Sequence, residues 1–258
     1  MYKIPDIKPK RKDNLAGFSG LSPYTIRFRA RDVKTLWSWM YKRKYIKHNP
    51  LADFVLPGVP DKIVRTITPG QFRIIVSNID TSTPSGSMYY CIMHIFYDNG
   101  VRLSELRTIC VEDIDFQGKS IKVMGKGHRE RLVPITVDTR RYIRNYIVGI
   151  RPRLCFEKSP YLFADSKGKP ITKNSIEQFM MRLVKKAGLE GVKLSPHILR
   201  HSFATEYLAN GGNIYYLQAI LEHRSPVMTR RYTQVRQQDV QEHHSRFSPV
   251  AQLSRQRL

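Results

Sequence analysis

The segment SPHILRHSFATEYLANGG, residues 195–212, combines residue types that together can bind an anion. Ser195 is a natural N-cap and Pro196 suits the first helical position, so the segment predicts a helix that begins here. His197 falls in the first turn, and Arg200, three residues further on, lies on the same helix face. Because the free N–H groups of a helix start attract negative charge, this pattern predicts an anion site.

The same helix also carries a spacing that zinc sites use. His197 and His201 are four residues apart, as the two histidines of an HExxH motif are. Ile198 stands where that motif has glutamate, however, and no third ligand is evident in the sequence. The pattern therefore predicts no metal site.

Two other segments place reactive residue types beside turns. NGVRLSEL, residues 99–106, has Arg102 directly after a turn signal, and LEHRSPVMTRRYTQV, residues 221–235, has His223 followed nine residues later by Tyr232. Each of these residues has a structural explanation by itself, since Arg102 could pair with a nearby carboxylate and Tyr232 could be a core aromatic. Taken singly, they indicate no function.

In their order along the chain, these segments resemble the tyrosine recombinases, the family that includes phage integrases and Xer-type resolvases. The resemblance is carried by GVRLSEL at 100–106, GKG and RLVP within 125–134, HILRHSFAT at 197–205, His223, and YT at 232–233. Order and spacing agree with the family over about 22–248. Five separated motifs in one order are a far more specific signal than a single short pattern.

The resemblance implies cleavage of DNA without hydrolysis, through a covalent protein intermediate. The implied catalytic residues are Arg102, Lys126, His197, Arg200, His223 and Tyr232. Tyr232 is the implied nucleophile, which forms a 3′-phosphotyrosyl bond, and its ordinary pKa of ~10 means that the site must favour its deprotonation. Arg102 and Arg200 are the implied phosphate clamp, because guanidiniums are planar, always charged and able to bind phosphate through two hydrogen bonds.

The remaining implied roles concern proton transfer. Lys126, on a hairpin, resembles the general acid that protonates the 5′-hydroxyl leaving group, and His197 and His223 resemble the histidines that hydrogen-bond the phosphate and assist proton transfer. Neither a metal nor any other cofactor is implied, since the 5′-hydroxyl of the second strand reverses the reaction.

Several residues near the motifs are expected in other roles. Arg131, Arg230 and Arg231 flank active positions and are interpreted as solvated or phosphate-positioning residues, while Glu105 stabilises its own helix or Arg102. Glu222 departs from the family pattern, which usually has glycine before the histidine. A carboxylate there could stabilise a protonated His223 or oppose the incoming phosphate.

Charge supports a nucleic-acid partner. The 258 residues include 44 Lys and Arg against 21 Asp and Glu, a net charge of +23 with a pI of about 10.1. Three cysteines cannot form a disulfide scaffold, and no apolar run approaches the ~20 residues of a membrane span. Double-stranded DNA is the expected partner, and its expected contacts are Arg27, Arg31, Lys34, Lys42, Arg43, Lys44, Arg131, Arg230 and Arg231. A packed helix with a solvated charged face is the alternative for the first six.

The fold expected is mainly α, of the α+β class, in three parts. A flexible basic arm covers 1–20, a partial core-binding, SAM-like helical module with its linker covers 21–60, and a catalytic domain with a small antiparallel sheet covers 65–258. The core-binding module is short for the family, which usually has about four helices there.

Caps and apolar spacing predict the individual elements. The expected helices begin at Ser22 and Thr68, cover about 88–97 and 103–108, run from Asp138 to about 148 and from Thr172 to Gly188, and begin at Ser195, Asn213 and Ser225. Alternating apolar residues over 114–134 predict the sheet, with a hairpin tip at Lys126.

These observations lead to one functional expectation with two alternatives. The resemblance implies a site-specific DNA recombinase of the integrase, excisionase or resolvase type, located in the cytoplasm at the nucleoid and not at a membrane. It further implies a homotetramer on DNA through exchange of the C-terminal tail, 236–258, with accessory DNA-bending factors as further partners. The alternatives are a DNA-binding remnant of a mobile-element integrase that no longer cuts, and a topoisomerase of similar chemistry.

Overall fold

The structure is a computed structural model that describes residues 20–60, 65–125, 127, 129–155 and 157–222. The chain divides into two compact units, Met1–Ile63 and Val64–Leu258. Almost all of the expected basic arm, the expected hairpin tip at Lys126 and the expected helix from Ser225 lie outside the described residues.

The described residues form a mainly helical fold with one small sheet, which confirms the expected fold class. The helices are α1 (Pro23–Lys42), α2 (Pro69–Ser77), α3 (Pro84–Asn99), α4 (Leu103–Thr108), α5 (Val137–Asn145), α6 (Lys173–Lys186), α7 (Pro196–Ala209) and α8 (Ile214–Leu221). The strands are β1 (Ile114–Asp115), β2 (Ser120–Met124) and β3 (Glu130–Pro134), antiparallel in that order. Shorter 3₁₀ and π turns are formed by Val111–Asp113, Tyr146–Ile150 and Arg151–Arg153.

Side-chain caps fix most helix starts where the sequence predicts them. In each case the cap oxygen accepts a backbone N–H of the first turn, which would otherwise have no partner. The confirmed caps are Ser22, Thr68, Thr172, Ser195 and Asn213. Thr68 and Gln71 also form the reciprocal hydrogen bonds of a capping box.

Two predicted boundaries are wrong. Helix α3 begins at Pro84 rather than near residue 88, because Thr83 caps it and its first turn is too polar to show apolar spacing. Helix α5 is capped by Thr136 rather than Asp138, which lies in the first turn and pairs with Arg141 on the surface. The α-helical part of α5 ends at Asn145, and the chain continues as a π turn.

The N-terminal unit contains one long helix and a returning segment. No residue of α1 is buried, and two of the apolar residues that recur along it at helical spacing, Ile26 and Val33, remain 44% and 49% exposed. Arg27 Nη1 donates to the Pro57 carbonyl at 2.7 Å, which ties the returning segment to the helix. The apolar side chains of α1 are therefore only partly covered within residues 20–60.

The core of the C-terminal unit surrounds α3, which packs against α5 and α7. The sheet adds Ile121, Val123 and Val133 to this core, with Ile121 opposite Val133 in the antiparallel register. Helix α4 packs on β2 and α8 packs on β3. The sheet thus brings the start of α4 and the end of α8 to the same side of the domain.

The fully buried Ser202 connects α7 to the chain entering this unit. Its hydroxyl accepts the Ile67 N–H at 2.7 Å and donates to the Ile198 carbonyl at 2.9 Å. Since Ile67 precedes the cap of α2, one hydroxyl fixes the start of α2 against α7.

Replacing Ser202 with alanine should therefore lower the free energy of unfolding by about 1–3 kcal/mol, because the Ile67 N–H loses its partner inside the core. Urea unfolding followed by circular dichroism measures the change. The matched control is Ser77→Ala, which removes an exposed hydroxyl that donates within α2 and should cost well under about 1 kcal/mol. Equal losses in the two variants would contradict the role given to Ser202.

Candidate active site

Three arginines from different elements meet at the carboxyl end of α8. Arg200 Nη2 donates to the Leu221 carbonyl at 2.6 Å, Arg102 Nη2 to the same oxygen at 3.4 Å, and Arg131 Nε to the Ile220 carbonyl at 2.9 Å. The last carbonyls of a helix have no partner within it and carry the negative end of its dipole. The end of α8 therefore gathers positive charge from α7, α4 and β3 into one place.

Arg200 lies on α7 and is 6% exposed. Besides Leu221, its guanidinium reaches the Gly100 carbonyl, which accepts from Nη1 at 2.7 Å. Gly100 ends α3 in the left-handed region at φ 61°, and a Cβ there would collide with Phe203 and Leu221. Only glycine suits both the turn and this close approach. The turn before Arg102 and the carbonyl that binds Arg200 therefore depend on the same residue.

Arg102 is the N-cap residue of α4 and is held by Glu105, three residues further on. The Arg102 N–H donates to Glu105 Oε2 at 2.8 Å, and Arg102 Nη1 donates to Oε1 at 2.5 Å. The side chain of Arg102 remains 34% exposed. Glu105 therefore stabilises both its own helix and Arg102, the two roles that the sequence suggested for it.

Glu105 is also the partner of Arg131. The guanidinium of Arg131 binds the Glu105 carboxylate through two hydrogen bonds of 3.0 Å, the planar paired geometry that makes such contacts strong. Only 11% of the Arg131 side chain is exposed, so it is not a solvated residue. Sequence reasoning missed this buried pairing, because nothing in the spacing connects a residue of β3 with one of α4.

Burial alone would raise the pKa of the Glu105 carboxyl. The hydrogen bonds from Arg131 and from the backbone and side chain of Arg102 outweigh that effect and hold its pKa below the ordinary value. Glu105 is consequently ionised at neutral pH, and it holds two guanidiniums in fixed positions.

Glu222 closes the cluster from the end of α8. It has φ 53° and ψ 47°, a left-handed conformation that favours glycine and costs other residues about 1 kcal/mol. Its Oε2 lies 3.1 Å from Arg102 Nη1 and 3.4 Å from Arg131 Nη1. A Cβ on Gly125 would overlap this carboxylate, so Glu222 also lies against the end of β2.

His197 lies in the first turn of α7, as predicted. Burial, with a smaller contribution from the charge of Arg200, lowers the pKa of His197 and leaves the imidazole neutral near pH 7. Its Nε2 is 2.8 Å from His201 Nε2, so one ring donates and the other accepts. The described residues contain no group of three or more His, Cys, Asp or Glu side chains placed to hold a metal.

The structure thus brings together three of the six residues predicted to be catalytic, Arg102 and Arg200 directly and His197 beside Arg200. Lys126, His223 and Tyr232 lie outside the described residues, as do the expected DNA contacts Arg230 and Arg231. Lys126 follows Gly125 in the sequence and His223 follows Glu222, so each adjoins a residue of the cluster along the chain.

The expected DNA contacts of α1 belong to the N-terminal unit and differ in their surroundings. Arg27 and Lys34 donate to carbonyls of the returning segment, at Pro57 and Phe54. Arg31 pairs with Asp32 at 3.7 Å on the surface. The other three, Lys42, Arg43 and Lys44, are exposed. These roles remain predictions.

Comparisons with known proteins identify the family. Residues 65–239 match the phage integrase family. The tyrosine recombinase XerC of Chlamydia caviae is 31% identical over 87% of this chain and 72% of its own length. The tyrosine recombinase XerD of Listeria innocua is 25% identical over 96% of this chain and 86% of its own length.

Solved structures show the same fold. The XerA recombinase has 26% identity and a TM-score of 0.60, with 88% of this chain and 77% of that chain covered. The XerH site-specific recombinase bound to its palindromic difH substrate, a post-cleavage complex, has 23% identity and a TM-score of 0.72, with 87% and 67% covered. The Tn1549 transposon integrase in complex with circular intermediate DNA has 25% identity and a TM-score of 0.67, with 87% and 79% covered.

Among the described residues, none of the helices has the length and apolar character of a membrane span.

The family match covers well over half of the chain. The chain therefore belongs to the phage integrase family and is a tyrosine recombinase.

Proposed function

We propose that this protein is a site-specific DNA recombinase that cuts and rejoins double-stranded DNA through a 3′-phosphotyrosyl intermediate. The observation that carries the proposal is the convergence of Arg102 and Arg200 on the Leu221 carbonyl, at 3.4 and 2.6 Å. Two guanidiniums from different helices are thereby held side by side. DNA as the substrate is supported by the net charge of +23 and by the likeness to recombinases solved on DNA.

The two guanidiniums act on the phosphate. Negative charge builds on its non-bridging oxygens as the nucleophile approaches, and donors fixed in advance stabilise that charge without reorganising. Removing one such donor typically costs about 10²–10³ in rate. The buried Arg200 is rigid and Arg102 is partly exposed, so the clamp opens toward solvent on the Arg102 side.

The covalent step needs no hydrolysis. The Tyr232 oxygen attacks phosphorus, the bond to the 5′ oxygen breaks, and the 3′ phosphate is left on tyrosine. The neutral His197 assists removal of the tyrosine proton together with His223, and Lys126 protonates the departing 5′ oxygen. A 5′-hydroxyl from the partner strand then attacks the phosphotyrosine and restores the phosphodiester.

Tyr232→Phe should abolish covalent capture of DNA while leaving DNA binding intact, because only the nucleophilic oxygen is lost. The substrate is a set of nicked suicide duplexes made from DNA of the protein's own genomic neighbourhood. Capture is measured as a band that survives boiling in detergent. The matched control, Tyr216→Phe, changes an exposed tyrosine of α8 and should keep the band.

This assay also decides between the proposal and its alternatives. A DNA-binding remnant would bind these duplexes and give no resistant band with the unchanged protein. A topoisomerase would give the band and relax any supercoiled plasmid without forming recombinants. Loss of the band in both tyrosine variants, or in neither, would count against Tyr232 as the nucleophile.

We infer that Glu105 is a positioning residue for the clamp. Its carboxylate is 1% exposed and binds Arg102 and Arg131, which leaves neither oxygen available to substrate. Since its pKa is lowered on folding, ionisation of Glu105 adds stability above its unfolded pKa, and this contribution is lost as the pH falls through the folded value.

Glu105→Gln should cost about 3–5 kcal/mol of unfolding free energy at pH 7, because two guanidiniums lose their buried counter-charge. The difference from the unchanged protein should shrink as the pH falls through the lowered pKa of Glu105. Urea unfolding at a series of pH values measures both effects. Glu177→Gln, which removes an exposed partner of Lys173, is the control and should cost under about 1 kcal/mol at every pH. A pH-independent loss would contradict the assignment.

We further propose that four copies assemble on DNA by exchange of the tail, 236–258, with accessory DNA-bending factors assisting at the target site. Exchange between two duplexes requires four strand cleavages, and each chain supplies one nucleophile. The tail follows Tyr232 in the sequence, so its attachment to a neighbouring copy would couple assembly to cleavage.

A chain that ends at Gln237 should bind a captured target duplex but fail to form the tetramer. Gel filtration with and without that DNA measures assembly, and the full chain is the reference. If the two proteins assemble equally well, the tail has no such role.

A further inference from the structure

We propose that the carboxylate of Glu222 is an internal competitor for the scissile phosphate, and that DNA must displace it from Arg102 before cleavage. The inference rests on the proposed role of Arg102 as a phosphate ligand. It concerns the residue at which this chain departs from the family pattern.

The first observation is where the carboxylate lies. Glu222 Oε2 accepts hydrogen bonds from Arg102 Nη1 at 3.1 Å and from Arg131 Nη1 at 3.4 Å. Carboxylate and phosphate oxygens are bound by guanidinium in the same way, through N–H donors in the plane of the fork. Glu222 therefore accepts from an N–H donor of Arg102 that an entering phosphate would need.

The second observation is the balance of charge. Glu105 already compensates Arg102 and Arg131 from the buried side, where it is 1% exposed. Adding Glu222 gives two carboxylates for these two guanidiniums, so this pair presents no excess positive charge to DNA. Glycine at the same position, as the family pattern has, would leave one positive charge uncompensated.

The third observation is the backbone at Glu222. A non-glycine residue is disfavoured at φ 53°, and no helix-capping hydrogen bond of its side chain offsets this among the described residues. Among the described residues, the ion pairs of the side chain are those to Arg102 and Arg131. Those contacts lie beside Arg102, the proposed phosphate ligand, which supports opposition to an incoming phosphate, one of the two roles that the sequence left open.

The fourth observation is that the contact can open. The Glu222 side chain is 22% exposed, whereas Glu105 is 1% exposed, so Glu222 can rotate into water and Glu105 cannot. An internal ligand competes as if it were present at high effective concentration. Phosphate can bind only the molecules in which Glu222 has left Arg102. The apparent Kd for phosphate is therefore the intrinsic Kd divided by the fraction of such molecules.

The test uses the full chain and inorganic phosphate, at constant ionic strength, with binding measured by isothermal titration calorimetry. Glu222→Gln should lower the apparent Kd for phosphate by about tenfold, as for a competitor bound in about nine-tenths of the molecules. Glu222→Gly should lower it at least as much, and glycine also suits the left-handed backbone, so this variant folds without strain. Melting temperatures verify that both variants are folded.

Two further variants isolate the contact. Glu130→Gln removes a carboxylate of β3 that is 54% exposed and 3.8 Å from Lys122, and it should leave the Kd unchanged. In an Arg102→Gln background, Glu222→Gln should not lower the Kd for phosphate, because the guanidinium for which carboxylate and phosphate compete is absent. Unchanged or weaker phosphate binding in both Glu222 variants, or a gain that survives Arg102→Gln, would overturn the proposal.

Phosphate binding requires no strand cleavage, so this experiment is independent of covalent capture. If the Glu222 variants gain phosphate affinity but the protein never captures DNA, the recombinase proposal fails and the competition stands. If capture succeeds and the phosphate Kd does not change, the competition fails and the recombinase proposal stands.

Discussion

The contact on which the site depends is the one between guanidinium groups and the last carbonyls of α8. Leu221 accepts from Arg200 at 2.6 Å and from Arg102 at 3.4 Å, and Ile220 accepts from Arg131 at 2.9 Å. A helix end must find donors for these oxygens, and here the donors come from α7, α4 and β3. The hydrogen bonds that complete the end of α8 thus also hold the guanidiniums of Arg102 and Arg200 close to each other.

Concentrating three guanidiniums in one place requires compensating negative charge. Glu105 supplies it from within the core, and the lowered pKa of its carboxyl reflects the hydrogen bonds from Arg131 and Arg102. Glu222 adds a second carboxylate from the solvent side. The two differ in exposure, 1% against 22%, and that difference separates a permanent support from a group that can leave.

Backbone geometry connects this charge arrangement to the fold. Gly100 ends α3 with a positive φ, passes under Phe203 and Leu221, and offers its carbonyl to Arg200. Ser202, two residues after Arg200 on α7, fixes the chain entering α2. The buried face of α7 therefore holds the domain together, while its first turn carries His197, whose pKa is lowered by burial and by the charge of Arg200.

The sequence by itself determined the elements and the residue types. Cap residues such as Ser195 and Thr172 located helix starts, because capping depends on neighbours within one turn. The motifs likewise singled out Arg102, Arg200 and His197 as candidate site residues, because the resemblance depends on residue type and chain order. Where the local signal was weak, as in the polar first turn of α3, the predicted boundary was wrong.

Only the tertiary structure decided how the charges pair. Arg131 binds Glu105, 26 residues away, and Glu222 reaches Arg102 across 120 residues, distances along the chain at which spacing carries no information. The left-handed conformation of Glu222, at the C-cap of α8, was likewise not indicated by the residue type, which disfavours it. The sequence thus supplied the cluster's members, and long-range packing assigned their partners.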